Sequence, residues 1–451
     1  MMNSAVEIII ERMAKHGEKP AIYWGGEFVA YEKFVKMIVL WEQRLTSIGI
    51  DKGSICAVKG DYSPEICALF FALMKQKAVL VPFSKDAEKD IPTFLHIAGV
   101  EWLIAFDGKD DYFVERLSDV KRPALIDNFV KERNHPGLVV FSSGSTGVPK
   151  GILQDCENVA QKFVLQRPSW KTVLFLLMDH FGGFNTLLSA FAYGGVAVCV
   201  KSRMPDDVCS AIAATKADLL PTTPTFLNLL IASGCYRAYD LSSIKMITYG
   251  TEMMNETTLK KVKSIFSSAQ IKQTYGLSEL GVLRSKSEAD GSVWLKVGGS
   301  EFQTKVIDNV LWIKAQSNMV GYLNAPNPFD SEGWFCTGDE VDVKEEYIKF
   351  MGRKTDVINV GGQKVFPAEV EAVLLQDSNV GEAAVFGQKH PIMGQIVVAK
   401  VSLQQAEDSK VMSIRLRKLC NEKLAKYKTP VKFEIVSESD QHNERFKKIR
   451  K

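Results

Sequence analysis

The chain has 451 residues, of which 46% are hydrophobic and 24% are charged, and its formal net charge is +3. This composition is ordinary for a globular protein of two or more domains, and the net charge is too small to imply a nucleic-acid partner. The eight cysteines are scattered without a CxxC pair, which argues against a zinc site or a disulfide scaffold and suits a reducing, cytoplasmic location. No run of about 20 apolar residues and no signal peptide is visible, so we expect no membrane span.

The N-terminal part alternates between predicted helices and predicted strands. Apolar periodicity and turn residues give helices at 5–14, 31–47 and 65–75, a hairpin at 21–29 around Gly25-Gly26, and strands at 54–58 and 79–82. Such an alternation predicts a parallel sheet covered by helices. We assign these elements to the scaffold and no chemistry to them.

A loop rich in glycine and hydroxyl groups follows the next predicted strand, residues 137–141. Glycines let the backbone approach a ligand, successive N–H groups can surround an anion, and hydroxyls and a lysine add donors. A Walker loop is excluded because the fifth residue after Gly144 is Pro149, and a Rossmann fingerprint is absent. The loop is therefore interpreted as a phosphate-binding segment, with candidate residues Ser142, Ser143, Gly144, Ser145, Thr146, Gly147 and Lys150.

Further along, several predicted strands end in polar or glycine-rich turns. A strand at 171–178 ends at Asp179-His180-Phe181-Gly182-Gly183 and precedes a helix at 184–193. Ligands of open α/β sheets gather at the carboxyl ends of strands, although a histidine after a strand is also often structural. Pro221 to Thr225 opens another helix, with Thr223 or Thr225 as the capping residue.

Two more strands, at 244–249 and 271–275, lead into Gly250-Thr251-Glu252 and Gly276-Leu277-Ser278-Glu279. A hairpin is predicted over residues 302 to 315 around Asp308-Asn309. Beyond it lie Thr337-Gly338-Asp339 and the long stretch from Gly352 to Glu371, in which Pro367 opens a helix.

These motifs together resemble those of the adenylate-forming superfamily, which includes acyl- and aryl-CoA synthetases, luciferases and the adenylation domains of peptide synthetases. The phosphate loop, the Tyr-Gly-x-Thr-Glu motif with Ser278 in place of threonine, the Thr-Gly-Asp motif, the hinge region from Gly352 and the basic C-terminus occur in the family's order. The resemblance runs from about residue 15 to residue 450.

The resemblance implies a fold and an activity. The fold would be α/β, with a large N-terminal domain (1–352) of parallel and mixed sheets covered by helices, and a small mobile α+β C-terminal domain (353–451). The activity would be that of an AMP-forming acid–thiol ligase that uses ATP and Mg²⁺ to make an acyl-adenylate and then transfers the acyl group to CoA. Loading of a carrier-protein phosphopantetheine in trans, and a non-catalytic nucleotide-binding relative, are the alternatives.

The resemblance also implies roles for individual residues. Glu279 would hold Mg²⁺, Lys448 would be catalytic, and Gly361 and Gly362 would line the thiol channel. Besides the phosphate loop, the ATP site would contain Gly250, Thr251, Glu252, Gln273, Tyr275, Gly276, Ser278, Asp339 and Arg353. The acid site would contain His180, Gly182, Gly183, Thr223 and Leu277. Two positions depart from the family pattern: Thr355 at the hinge, and Lys447 where the family has glycine.

The acid itself is not identified by the sequence, nor is the oligomeric state, for which a homodimer is one option. His180-Phe181-Gly182-Gly183 looks more like the acyl branch of the family than the amine-binding one, so we expect an uncharged or weakly polar acyl or aryl acid. Asp179 could instead receive an ammonium group. Strand alternation predicts that Asp179 and His180 point to opposite sides, so that only one of them can point inward.

Overall fold

Sequence signals account for the bounds of the first elements of the computed structural model, which describes residues 4–84, 87–118, 121–142, 148–298 and 302–436. Ser4 forms a capping box with Glu7 at the start of helix α1, and Gly49, in a left-handed conformation, ends helix α2. The elements up to residue 142 are α1 (Ala5–Ala14), β1 (Pro20–Trp24), β2 (Glu27–Ala30), α2 (Tyr31–Ile48), β3 (Ile55–Lys59), α3 (Pro64–Lys75), β4 (Val79–Phe83), α4 (Ile91–Ala98), β5 (Trp102–Phe106), β6 (Tyr112–Arg116), α5 (Ala124–Arg133) and β7 (Gly137–Ser142).

The middle of the chain continues the alternation of strands and helices. Its elements are β8 (Lys150–Asp155), α6 (Cys156–Gln161), β9 (Lys171–Val173), α7 (Phe181–Ala192), β10 (Val196–Val198), α8 (Pro205–Thr215), β11 (Leu219–Thr222), α9 (Pro224–Ser233), β12 (Met246–Tyr249), α10 (Glu256–Ile265) and β13 (Gln270–Gln273). Three of these helices, α8, α9 and α10, pack with β11 and β12 in one apolar cluster.

The last third is richer in antiparallel strands. It contains β14 (Tyr275–Leu277), β15 (Gly281–Leu283), β16 (Ser285–Ser287), β17 (Leu295–Val297), β18 (Phe302–Ile307), β19 (Val310–Ala315), β20 (Gly321–Tyr322), β21 (Phe335–Lys344), β22 (Tyr347–Arg353), β23 (Ile358–Val360), β24 (Gln363–Val365), α11 (Pro367–Leu374), β25 (Val380–His390), β26 (Gly394–Leu403), α12 (Ser409–Lys423) and β27 (Lys432–Ile435). Asp308 and Asn309 both have positive φ, as a tight hairpin turn between β18 and β19 requires.

Two seven-stranded sheets form the body of the chain. The first has the order β13-β12-β11-β9-β10-β1-β2 and is parallel except for β2, and the second has the order β20-β8-β7-β4-β3-β5-β6 with a parallel centre. Side chains alternate between two cores: Cys56 and Val58 of β3 lie in the core shared by both sheets, whereas Ile55 and Ala57 lie in a second core with α4 and α5. Helix α3 is buried along almost its whole length within the shared core.

Two smaller sheets complete the part up to residue 353. Strands β14 and β15 form a hairpin of their own, and β16, β17, β22, β21, β19 and β18 form a six-stranded antiparallel sheet. From residue 358 onward, five strands and helices α11 and α12 build a separate apolar core.

The predicted α/β fold class is confirmed, while the domain boundary at residues 352/353 stays a prediction. None of the helices within the described ranges has both the length and the apolar character that a bilayer span requires.

Three element predictions were wrong in detail. The strand predicted at 171–178 ends at Val173, because Leu174, Phe175, Leu177 and Met178 are buried as irregular chain rather than paired in the sheet. The helix predicted from residue 184 begins at Phe181, so Gly182 and Gly183 lie in its first turn. The strand predicted to reach Tyr275 ends at Gln273, and Tyr275 begins the β14–β15 hairpin.

Candidate active site

One large cavity of about 2440 Å³ opens at the carboxyl ends of the first sheet. Its walls come from the phosphate-loop strand, helix α7, the β14–β15 hairpin and the end of β22, and also from residues 366–376 of the C-terminal part. It is lined by these residues singled out from the sequence: Ser142, Lys150, His180, Gly182, Gly183, Thr223, Gly250, Thr251, Glu252, Gln273, Tyr275, Gly276, Leu277, Ser278, Glu279, Asp339 and Arg353.

The remaining predicted residues lie elsewhere. Gly361 and Gly362 line a separate shallow depression with residues 389–395, outside the large cavity. Ser143 to Gly147, the centre of the predicted phosphate loop, and Lys448 lie outside the described residues.

Glu279 is oriented by a residue that the sequence did not reveal. The hydroxyl of Tyr322 donates a hydrogen bond of 2.8 Å to Oε1 of Glu279, and the ammonium of Lys150 lies 4.9 Å from the centre of the Tyr322 ring. Burial and the neighbouring Glu279 charge raise the pKa of Tyr322, so its hydroxyl remains a donor at neutral pH. Tyr322 reaches this place because β20 pairs with β8 across more than 160 residues of sequence, and no local signal predicts that pairing.

The C-terminal end of the predicted phosphate loop is fixed by one neighbouring residue, Asn324. Asn324 donates to the carbonyl of Pro149 at 2.9 Å and accepts from the N–H of Gly151 at 3.0 Å. Gln154 of β8 donates to the carbonyl of Ser278 at 2.5 Å, which ties the strand after the loop to the turn that carries Glu279. These contacts connect the C-terminal end of the loop and strand β8 to the segments that carry Asn324 and Glu279.

A second group of contacts surrounds Asp339. The hydroxyl of Tyr275 donates to Oδ2 of Asp339 at 2.7 Å, and Nε of Arg353 lies 3.4 Å from Oδ1. Burial raises the pKa of Asp339, against the opposing effect of Arg353 and the Tyr275 hydrogen bond. Asp339 lies in β21 and is buried, so Thr337-Gly338-Asp339 does not form a surface turn. A buried carboxylate held in this way can accept hydrogen bonds from adjacent hydroxyls of a ligand.

Phe350 stacks on Tyr275, with ring centres 4.5 Å apart and planes inclined by 19°. One face of the Tyr275 ring is therefore covered by protein, and only the other face can receive a nucleobase. The buried side chain of Gln273 is held near Tyr249, whose hydroxyl lies 3.4 Å from Oε1 of Gln273. The strand ends that carry these groups come close together: a Cβ on Gly250 would lie 2.7 Å from Oγ1 of Thr274, so only glycine fits there.

Glu252 and Thr223 have structural roles at the start of α9. Oε2 of Glu252 accepts hydrogen bonds from the N–H of Thr225 at 3.1 Å and from its hydroxyl at 2.6 Å. The Thr223 hydroxyl accepts from the N–H of Phe226, which identifies Thr223 rather than Thr225 as the capping residue. Both residues still line the cavity.

His180 and Asp179 are separated by the start of α7 rather than by strand alternation. His180 is the residue before the helix and lines the cavity, whereas Oδ2 of Asp179 accepts a hydrogen bond from the Ser84 hydroxyl at 2.7 Å. Strand alternation was the wrong basis for predicting the directions of Asp179 and His180, because the strand has already ended at Val173. Gly183 permits this tight turn, since a Cβ there would lie 1.9 Å from the carbonyl oxygen of Leu177.

Two family models match the chain. The model described as AMP-binding enzyme matches residues 9–306, and the model described as AMP-binding enzyme C-terminal domain matches residues 369–447.

The curated relatives include CoA ligases, which the chain matches over much or nearly all of their length. 2-Succinylbenzoate–CoA ligase of Listeria monocytogenes is 24% identical over 459 residues, with 94% of this chain and 94% of that protein covered. Acyl-CoA synthetase 7 of Caenorhabditis elegans is 29% identical over 364 residues, with 73% of this chain and 66% of that protein covered. 4-Coumarate–CoA ligase of Pinus taeda is 25% identical, with 87% and 84% covered.

Solved structures share the fold along nearly the whole chain. An anthranilate CoA ligase in complex with anthranoyl-AMP superposes with a TM-score of 0.82 at 20% identity, covering 96% of this chain and 93% of that one. The o-succinylbenzoate CoA synthetase of Bacillus subtilis, in complex with its acyl-adenylate intermediate, superposes with a TM-score of 0.74 at 20% identity, covering 98% and 96%.

Proposed function

The chain belongs to the AMP-binding enzyme family, and from this premise we propose that it is an AMP-forming ligase that joins a carboxylic acid to CoA through an acyl-adenylate. The observation that carries the proposal is the convergence of two oriented groups on one cavity: Glu279 with Tyr322 and Lys150, and Asp339 with Tyr275 and Arg353. Three curated relatives, an acyl-CoA synthetase and two CoA ligases, support the same reaction.

The first half-reaction requires positioning more than a protein nucleophile. A carboxylate is a poor electrophile, and transfer of its oxygen to the α-phosphate of ATP releases pyrophosphate and gives an anhydride with AMP as a good leaving group. Both reactants are anions, so the site has to align them and offset their repulsion. Lys150 supplies a positive charge at the phosphate loop, and the hydroxyl of Ser142 lies at the same wall of the cavity.

The nucleoside part of ATP would bind at the second group of residues, which consists of Asp339, Tyr275 and Arg353. Asp339 would accept hydrogen bonds from the ribose hydroxyls, and Arg353 would contact the ribose or the phosphate. The free face of Tyr275 would stack on adenine above the Gly250 strand end, with the Gln273 amide at the base edge. The close approach at Gly250 and the Phe350 stack support this placement because they make the pocket flat and rigid.

The oxygen ligands available at this site, the Glu279 carboxylate and the phosphates of ATP, are of the kind that binds Mg²⁺. Mg²⁺ in nucleotide sites is usually held by one or two carboxylates, phosphate oxygens and water. Glu279 supplies one such carboxylate, and within the described residues no group of three or more His, Cys, Asp or Glu side chains forms a dedicated metal cage. Bound Mg²⁺ would neutralise phosphate charge, while Tyr322 keeps the Glu279 carboxylate oriented towards it.

The second half-reaction brings the thiol. We propose that residues 1–352 and 353–451 are two domains that rotate about the segment near Lys354, so that Lys448 serves adenylation and the Gly361-Gly362 pair then admits the pantetheine arm. The separate apolar core of residues 358–433 supports two units. The location of Gly361 and Gly362 outside the large cavity supports the view that this arrangement is the adenylating one.

CoA is the acceptor we propose, because the relatives with high coverage use it. A carrier-protein phosphopantetheine, a homodimeric assembly and a cytoplasmic location stay predictions from the sequence.

ATP–pyrophosphate exchange tests the first step. We expect exchange that depends on one class of carboxylic acid, followed by AMP release and thioester formation when CoA is added. A broad panel of fatty, aromatic, dicarboxylic and amino acids should be used. Absence of exchange with every acid, in the presence of measurable ATP binding, would identify a non-catalytic nucleotide-binding relative instead.

A further inference from the structure

Two cysteine side chains meet at the edge of the apolar cluster that α8, α9 and α10 share. Sγ of Cys209, in α8, lies 4.0 Å from Sγ of Cys235, in the short turn that follows α9. The two residues are 26 positions apart in the sequence, and the packing of α8 against the end of α9 brings them together. Both are free thiols, and their sulfur atoms lie about 2 Å farther apart than in a disulfide bond.

The two thiols differ in how far solvent can reach them. Cys209 is 1% exposed within the apolar cluster, whereas Cys235 is only partly buried. Burial raises the pKa of the Cys209 thiol, and the adjacent Cys235 adds to this effect. Oγ of Ser233 lies 3.3 Å from Sγ of Cys235, so the hydroxyl is placed to donate to that sulfur. Cys235 is therefore the thiol that an oxidant in solution meets first.

The segment that carries Cys235 has room to adjust to a covalent bond. Gly234 ends α9 in a left-handed conformation, and Cys235–Ala238 form a single 3-10 turn outside the sheets. Rotation of the Cys235 side chain from one staggered position to another moves its sulfur by more than the distance of about 2 Å that has to be closed. Cys209 can keep its place inside the regular helix α8 while this happens.

The surroundings of the pair do not favour a metal ion. The Asp206 carboxylate, whose charge acts on Cys209, already accepts a hydrogen bond of 2.9 Å from the Tyr239 hydroxyl. In the part of the chain that the structure describes, no group of three or more His, Cys, Asp or Glu side chains could hold a metal ion, whereas structural zinc sites use four ligands. A reaction between the two thiols is the chemistry that remains for this pair.

We infer that Cys209 and Cys235 form a reversible disulfide when the protein meets a hydroperoxide, with Cys235 as the thiol that is oxidised and Cys209 as the thiol that resolves it. The inference does not depend on the proposed ligase activity. In a reducing compartment such a bond would be transient, which agrees with a cysteine pattern that argues against a disulfide scaffold.

Hydrogen peroxide supplies all that the reaction needs. The Cys235 thiolate attacks a peroxide oxygen, the O–O bond breaks, and the products are a sulfenic acid and hydroxide, which takes up the proton of the thiol to give water. The Cys209 sulfur then attacks the Cys235 sulfur, so that the S–S bond forms while the S–O bond breaks, and the departing hydroxide leaves as water with the Cys209 proton. Two thiols and one peroxide thus give one disulfide and two water molecules, and exchange with glutathione reverses the change.

The resolving thiol protects the accessible one. A sulfenic acid that meets no second thiol is oxidised further to a sulfinic acid, which thiol reductants do not restore. Because Cys209 lies next to Cys235, the sulfenic acid is converted to a disulfide before a second peroxide reacts. The pair therefore keeps the oxidation of Cys235 reversible.

Peroxide treatment of the folded protein, followed by alkylation of the remaining thiols, digestion and mass spectrometry, tests the inference. The unaltered protein is compared with Cys336→Ala, which removes an exposed cysteine that competes for the oxidant. In both we expect a peptide pair joined through Cys209 and Cys235 as the main oxidation product of these two residues, and its loss on treatment with dithiothreitol. Recovery of both residues as free thiols, or of Cys235 mainly as sulfinic acid, would overturn the inference.

Variants of each cysteine test the order of the two steps. In Cys209→Ala, Cys235 should be trapped by dimedone as sulfenic acid and should accumulate as sulfinic acid. In Cys235→Ala, the buried Cys209 should stay reduced at the same peroxide dose. A cross-link that forms only after unfolding in urea would overturn the inference, because the folded arrangement would then not bring the sulfurs together. The unaltered protein gives this answer even if a cysteine variant fails to fold.

Discussion

The hydroxyl of Tyr322 donates to the carboxylate of Glu279 at 2.8 Å, and the same ring lies under the ammonium of Lys150. Three segments far apart in sequence therefore meet at one aromatic ring. The orientation of the proposed metal ligand depends on β20, a strand of two residues that pairs with the strand after the phosphate loop.

Tyr322→Phe and Glu279→Gln should both weaken the use of metal–ATP while the fold is retained. The first removes the donor and keeps the ring, and the second removes one charge and keeps the shape of the side chain. We expect the KM for Mg·ATP to rise by about tenfold for Tyr322→Phe, because a hydrogen bond to a charged group is lost, and by more for Glu279→Gln.

Pyrophosphate exchange at limiting Mg²⁺ measures both effects. Tyr236→Phe, outside the cavity, is the matched control. Equal rates for Glu279→Gln and the unaltered enzyme at limiting Mg²⁺ would contradict the role proposed for Glu279.

Gly183→Ala should destabilise the protein far more than Gly182→Ala. A Cβ at residue 183 would lie 1.9 Å from the Leu177 carbonyl oxygen, whereas one at residue 182 would lie 3.4 Å from a flexible Leu176 methyl group. Because backbone must move in the first case, we expect a loss of about 2 kcal/mol or more in the free energy of unfolding, and in the second a change within about 0.5 kcal/mol. Urea denaturation of the two variants would measure this difference in stability. Similar denaturation midpoints for the two variants would contradict the prediction.

Asp339→Asn should raise stability near neutral pH while impairing ATP use. Burial raises the pKa of Asp339, so its contribution to stability is present below the unfolded-state pKa and is lost as pH rises through the folded-state value. Asparagine keeps an acceptor for Tyr275 and has no charge to bury. We expect a gain on the order of 1 kcal/mol at pH 7 that disappears in acid, and a rise in the KM for ATP of about tenfold or more.

Thermal unfolding as a function of pH and exchange kinetics test the two halves of this prediction. Asp342→Asn, on the exposed side of the same strand, is the control. A destabilisation at pH 7 that disappears at acid pH would contradict the prediction, because it would show that the Arg353 contact outweighs the burial of the carboxylate.

Local sequence signals were sufficient to predict the bounds of an element when the capping or turn residues that determine those bounds lie within or next to the element. Helix α1 has the predicted bounds, and the β18–β19 hairpin turns at Asp308-Asn309 as expected. The glycine and acidic turns at Gly250 and Gly276 also line one cavity, because parallel strands end at the same edge of a sheet.

Contacts between segments distant in sequence were not predictable. Tyr322 reaches the site through the pairing of β20 with β8, whereas Asn324 and Phe350 reach it through side-chain contacts with Pro149 and Tyr275. Nothing in their own neighbourhood in the sequence marks these three residues. The apolar run after Lys171 was interpreted as one strand because a buried loop and a buried strand have the same composition.

Lys448 should matter for adenylation and hardly at all for thioester formation. It lies outside the described residues, and its role follows from the resemblance of the C-terminus to the family's Gly-Lys-Ile motif. Its charge is needed where a carboxylate approaches the α-phosphate, and that need ends once the anhydride exists. Lys448→Ala should slow pyrophosphate exchange strongly and leave thioester formation from supplied acyl-adenylate nearly unchanged.

Lys447→Ala is the control for the register of this motif, since Lys447 stands where the family has glycine. Equal slowing of both steps in Lys448→Ala, or loss of exchange in Lys447→Ala alone, would show that the assignment of Lys448 is wrong.

The ion pair between Lys364 and Glu340 should favour the arrangement of the two proposed domains seen here. Nζ of Lys364, in β24, lies 2.9 Å from Oε1 of Glu340, in β21, and the Glu340 carboxylate is buried while the lysine is largely exposed. If thioester formation requires rotation about the segment near Lys354, this contact must break, because Gly361 and Gly362 are carried on the same small sheet as Lys364. Lys364→Met keeps most of the side-chain volume and removes the charge. Because the lysine is exposed, we expect an effect of about 1 kcal/mol or less, and hence exchange slowed by up to roughly fivefold.

Thioester formation from supplied acyl-adenylate should be unchanged or faster in Lys364→Met, because the arrangement that competes with it has lost a stabilising contact. Lys418→Met, an exposed lysine of α12, should affect neither step. A double-mutant cycle with Glu340→Gln isolates the pair: if the contact acts as proposed, Lys364→Met should have much less effect on exchange once Glu340 is uncharged. Equal slowing of both half-reactions by Lys364→Met would contradict a role in domain arrangement, since loss of general stability reduces both steps alike whereas a shift between two arrangements changes them in opposite directions.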